Sequence, residues 1–120
     1  MTMISVNAEP SGCHHDQLAA GLFRALADPS RLAIVCHLRL GEHRVADLVA
    51  HLGLAQSTVS QHVAWLREQG LLTARSQGRA TLYALAQPAL IAELLAVGDR
   101  LLAAIGCTPG DCARDQGLVS

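Results

Sequence analysis

Two clusters of soft donors stand near the two ends of the chain. Cys107 and Cys112 are separated by Thr-Pro-Gly-Asp, a sequence suited to a type I or type II turn. A turn between flanking cysteines brings their thiols together, and the spacing falls within the range of zinc-type chelates. At the other end Cys13, His14, His15 and Asp16 run consecutively. If the first and last helices lie side by side, the clusters meet within one protomer or across a dimer. They then offer three thiolates, two imidazoles and a carboxylate. Thiolates select Cd(II), Pb(II), Hg(II), Zn(II) or As(III) over Mg, Ca and Mn. Three cysteines alone suit a trigonal As(III) or Pb(II). An added histidine, His14 or His15, suits a tetrahedral Zn(II) or Cd(II). The fourth cysteine, Cys36, follows an apolar run and reads as a small, partly buried apolar residue.

A second chemistry is recognition of base edges. Gln56, Ser57, Ser60 and Gln61 share one side of a helix whose opposite stripe is Val59, Val63 and Leu66. Gln and Ser side chains both donate and accept, as major-groove edges require. The N-terminus of such a helix can also face a phosphate. Arg75 and Arg79 flank a turn at Ser76–Arg79, where a phosphate or minor-groove contact is expected. The plainer reading is a solvated polar face with ordinary surface charge.

These groups need a scaffold. The 120 residues suggest one domain, and 51% hydrophobic against 16% charged residues excludes a disordered chain. Leu and Ala supply 20 residues each, which favours helix. Phe23, Trp65 and Tyr83 are the whole aromatic content, too few for stacking on single-stranded nucleic acid. No apolar run spans a membrane and no leader pattern precedes Ser11, so a soluble cytoplasmic protein is expected. In that compartment four cysteines point to metal or redox chemistry rather than structural disulfides. The net charge of -1 hides a mildly basic middle, with Arg67, Arg75 and Arg79 against Glu68, and an acidic end.

Periodicity predicts five helices and a hairpin. The first helix starts at Asp16 as N-cap, with Leu18, Leu22 and Leu26 at four-residue spacing. Asp28-Pro29 starts the second, which Gly41 ends. A short third helix carries Val45, Leu48, Val49 and Leu52 before Gly53. The fourth runs from Gln56 to Gln69. Leu71–Thr73 and Thr81–Leu85 read as strands. The fifth helix runs from Pro88 to Ile105 with two apolar stripes. One is Leu90, Leu94, Val97, Leu101 and Ile105; the other is Ile91, Leu95 and Leu102. A chain this short leaves one of them uncovered, which implies a partner helix. The expected organisation is an N-terminal arm over 1–15, a mainly α winged helix-turn-helix domain with a β-hairpin wing over 16–106, and a C-terminal tail over 107–120. No Gly-x-Ser-x-Gly, His-Glu-x-x-His or P-loop pattern is present, so an enzyme is not expected. A dimeric adaptor that binds no DNA is a further alternative.

Three segments resemble the ArsR/SmtB family of bacterial metal-sensing repressors: FRALADPSRLAIVCHL (23–38), VADLVAHLGLAQSTVSQHVAWLREQGLL (45–72) and GRATLYAL (78–85). The resemblance covers about residues 16 to 106. It implies a homodimer on double-stranded operator DNA, paired through the first and last helices. By motif it places Gln56, Ser57, Thr58, Ser60, Gln61 and His62 at the major groove and Arg75 and Arg79 at the wing contacts. Ala55 stands where such sequences usually carry a capping Ser.

The resemblance also implies an effector that lowers DNA affinity, with no organic cofactor. A thiolate site at the third helix is absent, because Arg44 and Ala46 occupy its positions. A His/Asp site on the last helix is absent as well, since that helix has no His. A cadmium/lead subgroup carries two recognition-helix cysteines, here Trp65 and Gln69, and a cysteine beyond the last helix, which Cys107 or Cys112 matches. The two terminal clusters remain, with Cys13, His14, His15, Cys107 and Cys112 as metal ligands. The alternative is a redox or persulfide switch pairing Cys36 with Cys107, because RLAIVCHL resembles dithiol members. Cys107 lies about five residues beyond the place that pattern assigns, roughly 7 Å along a helix, more than a disulfide tolerates. His37, His43, His51 and His62 read as surface or DNA-side residues rather than ligands.

Overall fold

The computed structural model describes residues 10–107, with side chains described from His15 onward. Its elements in order are α1 (Pro10–Ala27), α2 (Pro29–Leu38), α3 (Val45–Leu52), α4 (Gln56–Glu68), β1 (Leu72–Gln77), β2 (Ala80–Leu85) and α5 (Pro88–Ala104). They form two compact units that divide after Ala86: α1 to β2 in one, α5 in the other.

In the first unit α1 begins at Pro10 rather than Asp16. Proline's fixed φ and missing N–H suit a first helical turn, so the helix absorbs residues 10–15 of the expected arm. The α1–α2 corner is tied by polar groups. Asp28 is the N-cap of α2, its carboxylate accepting the Arg31 N–H at 2.9 Å, and Pro29 follows at the first helical position. The Arg31 guanidinium turns back to the end of α1. Its Nε donates to the Ala25 carbonyl at 2.9 Å and its Nη2 to the Arg24 carbonyl at 2.8 Å. Those carbonyls lack partners within their own helix, so the bonds close α1 where Pro29 forces the chain to turn.

The core of this unit is drawn from each of its helices and from both strands. Ala25, Ile34, Val35, Leu38, Leu48, Val59, Val63, Leu66, Leu72 and Leu85 are all buried. Each fully buried Leu or Ile contributes about 1.5–3 kcal/mol through its apolar area. Gly53 ends α3 in the left-handed region at φ 68, its N–H donating to the Val49 carbonyl at 3.0 Å. That conformation disfavours a side chain. It lets the chain reverse within three residues and enter α4, the helix-turn-helix connection expected here.

The hairpin is longer than expected. β1 runs to Gln77, and six pairs stand in antiparallel register from Leu72↔Leu85 to Gln77↔Ala80. The turn shrinks to Gly78-Arg79, with Gly78 at φ 63. A positive φ at the first turn position matches the right-handed twist of the flanking strands. Pairing therefore continues through the polar residues Arg75, Ser76 and Gln77, which apolar alternation does not mark.

In the second unit α5 opens at Pro88. Ile91 is buried, whereas Leu90, Val97, Leu101, Leu102 and Ile105 are exposed. Among the described residues no helix is long and apolar enough to cross a membrane.

Candidate nucleic-acid interface and donor clusters

α4 is seated by its buried stripe and by two contacts with the start of α2. The Arg31 guanidinium lies over the Trp65 ring, 4.5 Å from its centroid, a cation–π contact that pins α4 to α2. His62 Nε2 lies 3.7 Å from Asp28 Oδ2. The cap bond from the Arg31 N–H, with the Arg31 and His62 charges nearby, holds the Asp28 carboxyl below the usual carboxylate range. Of the expected base-reading residues, Gln56, Ser57 and Gln61 are exposed, while Thr58, Ser60 and His62 are half-buried. His62 thus turns its distal nitrogen toward α2 as much as outward. The start of α4 lacks a side-chain cap: Ala55 has the extended backbone of an N-cap, φ -64 and ψ 145, but no oxygen to offer.

The wing arginines differ from each other. Arg79 is exposed in the two-residue tip. Arg75 lies back along β1, opposite Leu82, where Glu42 grips it with both carboxylate oxygens. Nε donates at 2.7 Å and Nη2 at 2.8 Å. This two-pronged geometry is the strongest form of the pair. It lowers the Glu42 carboxyl and raises the Arg75 guanidinium from their ordinary values. Glu42 was not legible as a partner, because 33 residues separate it from Arg75. The next residue joins the same corner to the wing: His43 and Tyr83 exchange both backbone bonds, at 3.0 and 2.9 Å. Arg44 then leads into α3, its side chain bonded to Asp47 and lowering that carboxyl.

The thiol and imidazole donors fall as follows. Cys36 is exposed, contrary to the partly buried position expected. Ile34 and Val35 take the buried face of α2, and the following residue is carried out to the surface. Cys107 is half-buried, its thiol free, its N–H closing the end of α5 on the Leu102 carbonyl at 2.7 Å. His15 is exposed, with Nδ1 3.9 Å from Asp16 Oδ1. The side chains of Cys13 and His14, and all of Cys112, lie outside the described residues. Among the described residues no group of three His, Cys, Asp or Glu side chains is arranged to hold a metal ion.

The structure does bring together three histidines that the sequence leaves apart. His37 lies in the last turn of α2, His43 sits in the α2–α3 loop and His51 lies in the last turn of α3. Their ring centroids stand 4.6 Å (His37–His43), 4.7 Å (His37–His51) and 6.1 Å (His43–His51) apart. His37 Nε2 is buried without a hydrogen-bond partner. Burial, and then the His43 and His51 charges, push the His37 imidazole below its usual basicity. The available signal was density alone: three of the chain's six histidines within fifteen residues.

The profile of the bacterial regulatory proteins of the arsR family matches residues 28–74, from the Asp28 cap through α4 into β1. A Streptomyces lividans protein named "Probable mercury resistance operon repressor" is 37% identical over 100 residues, 83% of this chain and 78% of the relative. The chain belongs to the arsR family. The solved homodimeric winged helix-turn-helix DNA-binding domain of Mb0332 from Mycobacterium bovis is similar at TM-score 0.66 and 30% identity, over 72% of this chain and 83% of that one. The cadmium metal-sensor CmtR from Mycobacterium tuberculosis is similar at TM-score 0.54 and 45% identity, over 62% of this chain and 81% of that one. This arsR-family protein is therefore a winged helix-turn-helix transcription regulator, with α3–α4 as the helix-turn-helix and β1–β2 as the wing, and not an enzyme.

Proposed function

We propose that the protein is a homodimeric repressor that releases operator DNA when a thiophilic ion binds at its chain ends. The observation that carries the DNA half is α4: an exposed Gln56, Ser57 and Gln61 edge held rigid by buried Val59, Val63 and Leu66. Thr58, Ser60 and His62 complete that face, and Arg79 at the wing tip supplies a phosphate contact. The α5 face of Leu90, Val97, Leu101 and Ile105, exposed in the single chain, supports a second copy as partner. Leu18 and Phe23 of α1 are likewise exposed apolar side chains, open to a partner.

The effector half rests on donor chemistry. Cys13, Cys107 and Cys112, with His14 or His15, form a set that fits soft ions of the Cd(II), Pb(II), Hg(II), Zn(II) or As(III) class. The named functions of the two relatives, mercury resistance and cadmium sensing, support that class. Of that set, Cys107 has a free thiol at the end of α5 and His15 an exposed imidazole, which supports their availability as donors. When bound, the ion supplies a crosslink between segments, and it favours the conformation in which those segments are joined. DNA favours the other conformation, so each ligand weakens the other by the same coupling energy.

The exposed, free thiol of Cys36 favours a second reading, a thiol switch using Cys36 and Cys107. Fluorescence anisotropy on the upstream DNA separates the two. Reduced protein is titrated with each ion in turn, then with an oxidant or a persulfide donor. Release by an ion under reducing conditions supports the metal reading. Release by the oxidant or persulfide alone moves the site to Cys36 and Cys107. No DNA binding under any condition removes the repressor reading.

A further inference from the structure

We propose that the corner where α2 meets α3 is an acid-sensitive joint, in which proton uptake by the His37, His43 and His51 cluster loosens the base of the wing. The three rings stand against one another, with centroids 4.6, 4.7 and 6.1 Å apart. Two positive rings at such separations repel, so the closed corner resists charging. Among the described residues no carboxylate lies within ion-pair range of these three rings. The acids of the same corner are already engaged. Glu42 is held by both prongs of Arg75. Asp47, which feels the His43 charge, accepts the Arg44 N–H and lies against its guanidinium.

The joint turns on His37. Its Nε2 is buried without a hydrogen-bond partner. A proton added there would be a charge with no acceptor, a greater cost than the orphaned neutral nitrogen. Burial, and then the His43 and His51 charges, hold this imidazole below its usual basicity. An opened corner instead takes the proton at the ordinary histidine value, about 6.5. The closed corner is therefore fully favoured above that value and loses stability as pH falls toward the lowered folded value. His43 adds to the strain when charged. Its Nδ1 lies 2.8 Å from the Gly41 carbonyl oxygen and donates to it, so a further proton adds at Nε2.

The location gives the joint a consequence. His43 and Tyr83 of β2 exchange both backbone bonds, and adjacent Glu42 holds Arg75 of β1. Repulsion within the cluster thus acts on the residue that anchors one strand of the wing, one position from the residue that anchors the other. Protonation of clustered histidines is a recognised way to bias a packed element between two arrangements. The consequence for DNA rests on the wing contact proposed above.

The test reads the free, reduced, full-length chain by amide hydrogen exchange. The His43 and Tyr83 amides both donate in the pair that joins corner to wing, so they report opening. One imidazole charged only in the opened corner raises the opening constant up to about tenfold between about pH 7.5 and 5.5, and protection should fall by that factor after correction for intrinsic exchange. His37→Phe keeps a ring of similar size and removes both the titration and the orphaned nitrogen; it should abolish most of the fall. His62→Gln, outside the cluster, should retain it. Should His37→Phe fail to fold, the imidazole proton resonances of the unsubstituted chain decide. His37 should titrate below the ordinary histidine value and in step with the loss of protection. Protection that does not change with pH, a fall that survives His37→Phe, or a His37 resonance titrating at the ordinary value overturns the proposal. Affinity for the upstream DNA should decline less into acid with His37→Phe than without it, and equal declines overturn the link from joint to DNA. The exchange readings need no DNA, so a chain that binds none refutes the repressor reading without deciding the joint.

Discussion

Arg75 and Arg79 carry the same formal charge in the same hairpin, yet they should contribute unequally to DNA affinity. Arg79 occupies the tip and has no carboxylate within ion-pair range among the described residues. Arg75 has two donors committed to Glu42 at 2.7 and 2.8 Å. A phosphate that approaches Arg75 must displace a carboxylate or share with it, and the local charge is already neutral. Each phosphate contact contributes about 0.9 to the slope of log affinity against log salt. With one Arg79 contact from each protomer of the proposed dimer, Arg79→Ala should flatten that slope by about 1.8. Between about 50 and 200 mM salt, the variant should then lose about 12-fold less affinity than the unsubstituted protein. Arg75→Ala should change the slope by less than about 0.3. Glu42→Gln removes the neutralising charge and should steepen the slope, because it releases the guanidinium. The assay is anisotropy of a labelled operator duplex across a potassium chloride series, with reduced, metal-free protein. Equal flattening by Arg75→Ala and Arg79→Ala, with Glu42→Gln silent, would refute the reasoning.

Three further outcomes are expected. Ala55→Ser gives α4 the cap oxygen it lacks and should stabilise the protein by about 1 kcal/mol, a rise of about 3–6 °C in melting temperature; calorimetry checks it. Cys107→Ser and Cys112→Ser should each abolish ion-driven release while leaving metal-free operator affinity within about twofold, read by the same anisotropy titration. Asp28 has a folded-state acidity stronger than in the unfolded chain, chiefly because it accepts the Arg31 N–H. Its charge therefore stabilises the fold above the ordinary Asp value, and the contribution is lost as pH falls through the lowered folded value. Asp28→Asn keeps a cap and removes the titration, so urea midpoints followed into acid should fall less steeply than in the unsubstituted protein.

Helix number and order were legible because apolar spacing and Gly or Pro stops agree at most of the boundaries. Gly53 is both the end of a periodic stripe and the left-handed residue the turn needs. The start of α1 was misplaced because Asp16 and Pro10 are both valid start signals, and local chemistry does not rank them. β1 was read short because a hairpin propagates by backbone pairing, which polar residues join as readily as apolar ones. The recognition face was legible as a polar stripe, but the half-buried setting of His62 depends on Asp28, which lies on another helix. Arg75 was legible as a basic wing residue. Its neutralisation by Glu42 was not, since that pair is made by the fold. The histidine cluster was hidden for the same reason: His37, His43 and His51 occupy three successive elements, and no helical or strand period relates them.

The contacts that seat α4 also constrain how an effector can act in the proposed dimer. Arg31 ties together the end of α1, the start of α2 and Trp65 of α4. Glu42 and His43 tie the α2–α3 corner to both strands of the wing. The recognition helix and the wing are thus parts of one cross-braced body, and reshaping α4 alone would break a cation–π contact and strip a buried stripe. A less costly response moves the whole body. Two recognition helices must enter successive major grooves about one helical turn apart, roughly 34 Å along the duplex. A change of a few ångströms or degrees between protomers then spoils one half-site while each body stays intact. On this argument, ion binding should lower affinity for the full two-half-site operator far more than for a single half-site. Comparing the two duplexes with and without the ion tests it directly. Equal losses on both would place the response inside the body, against the bracing described here.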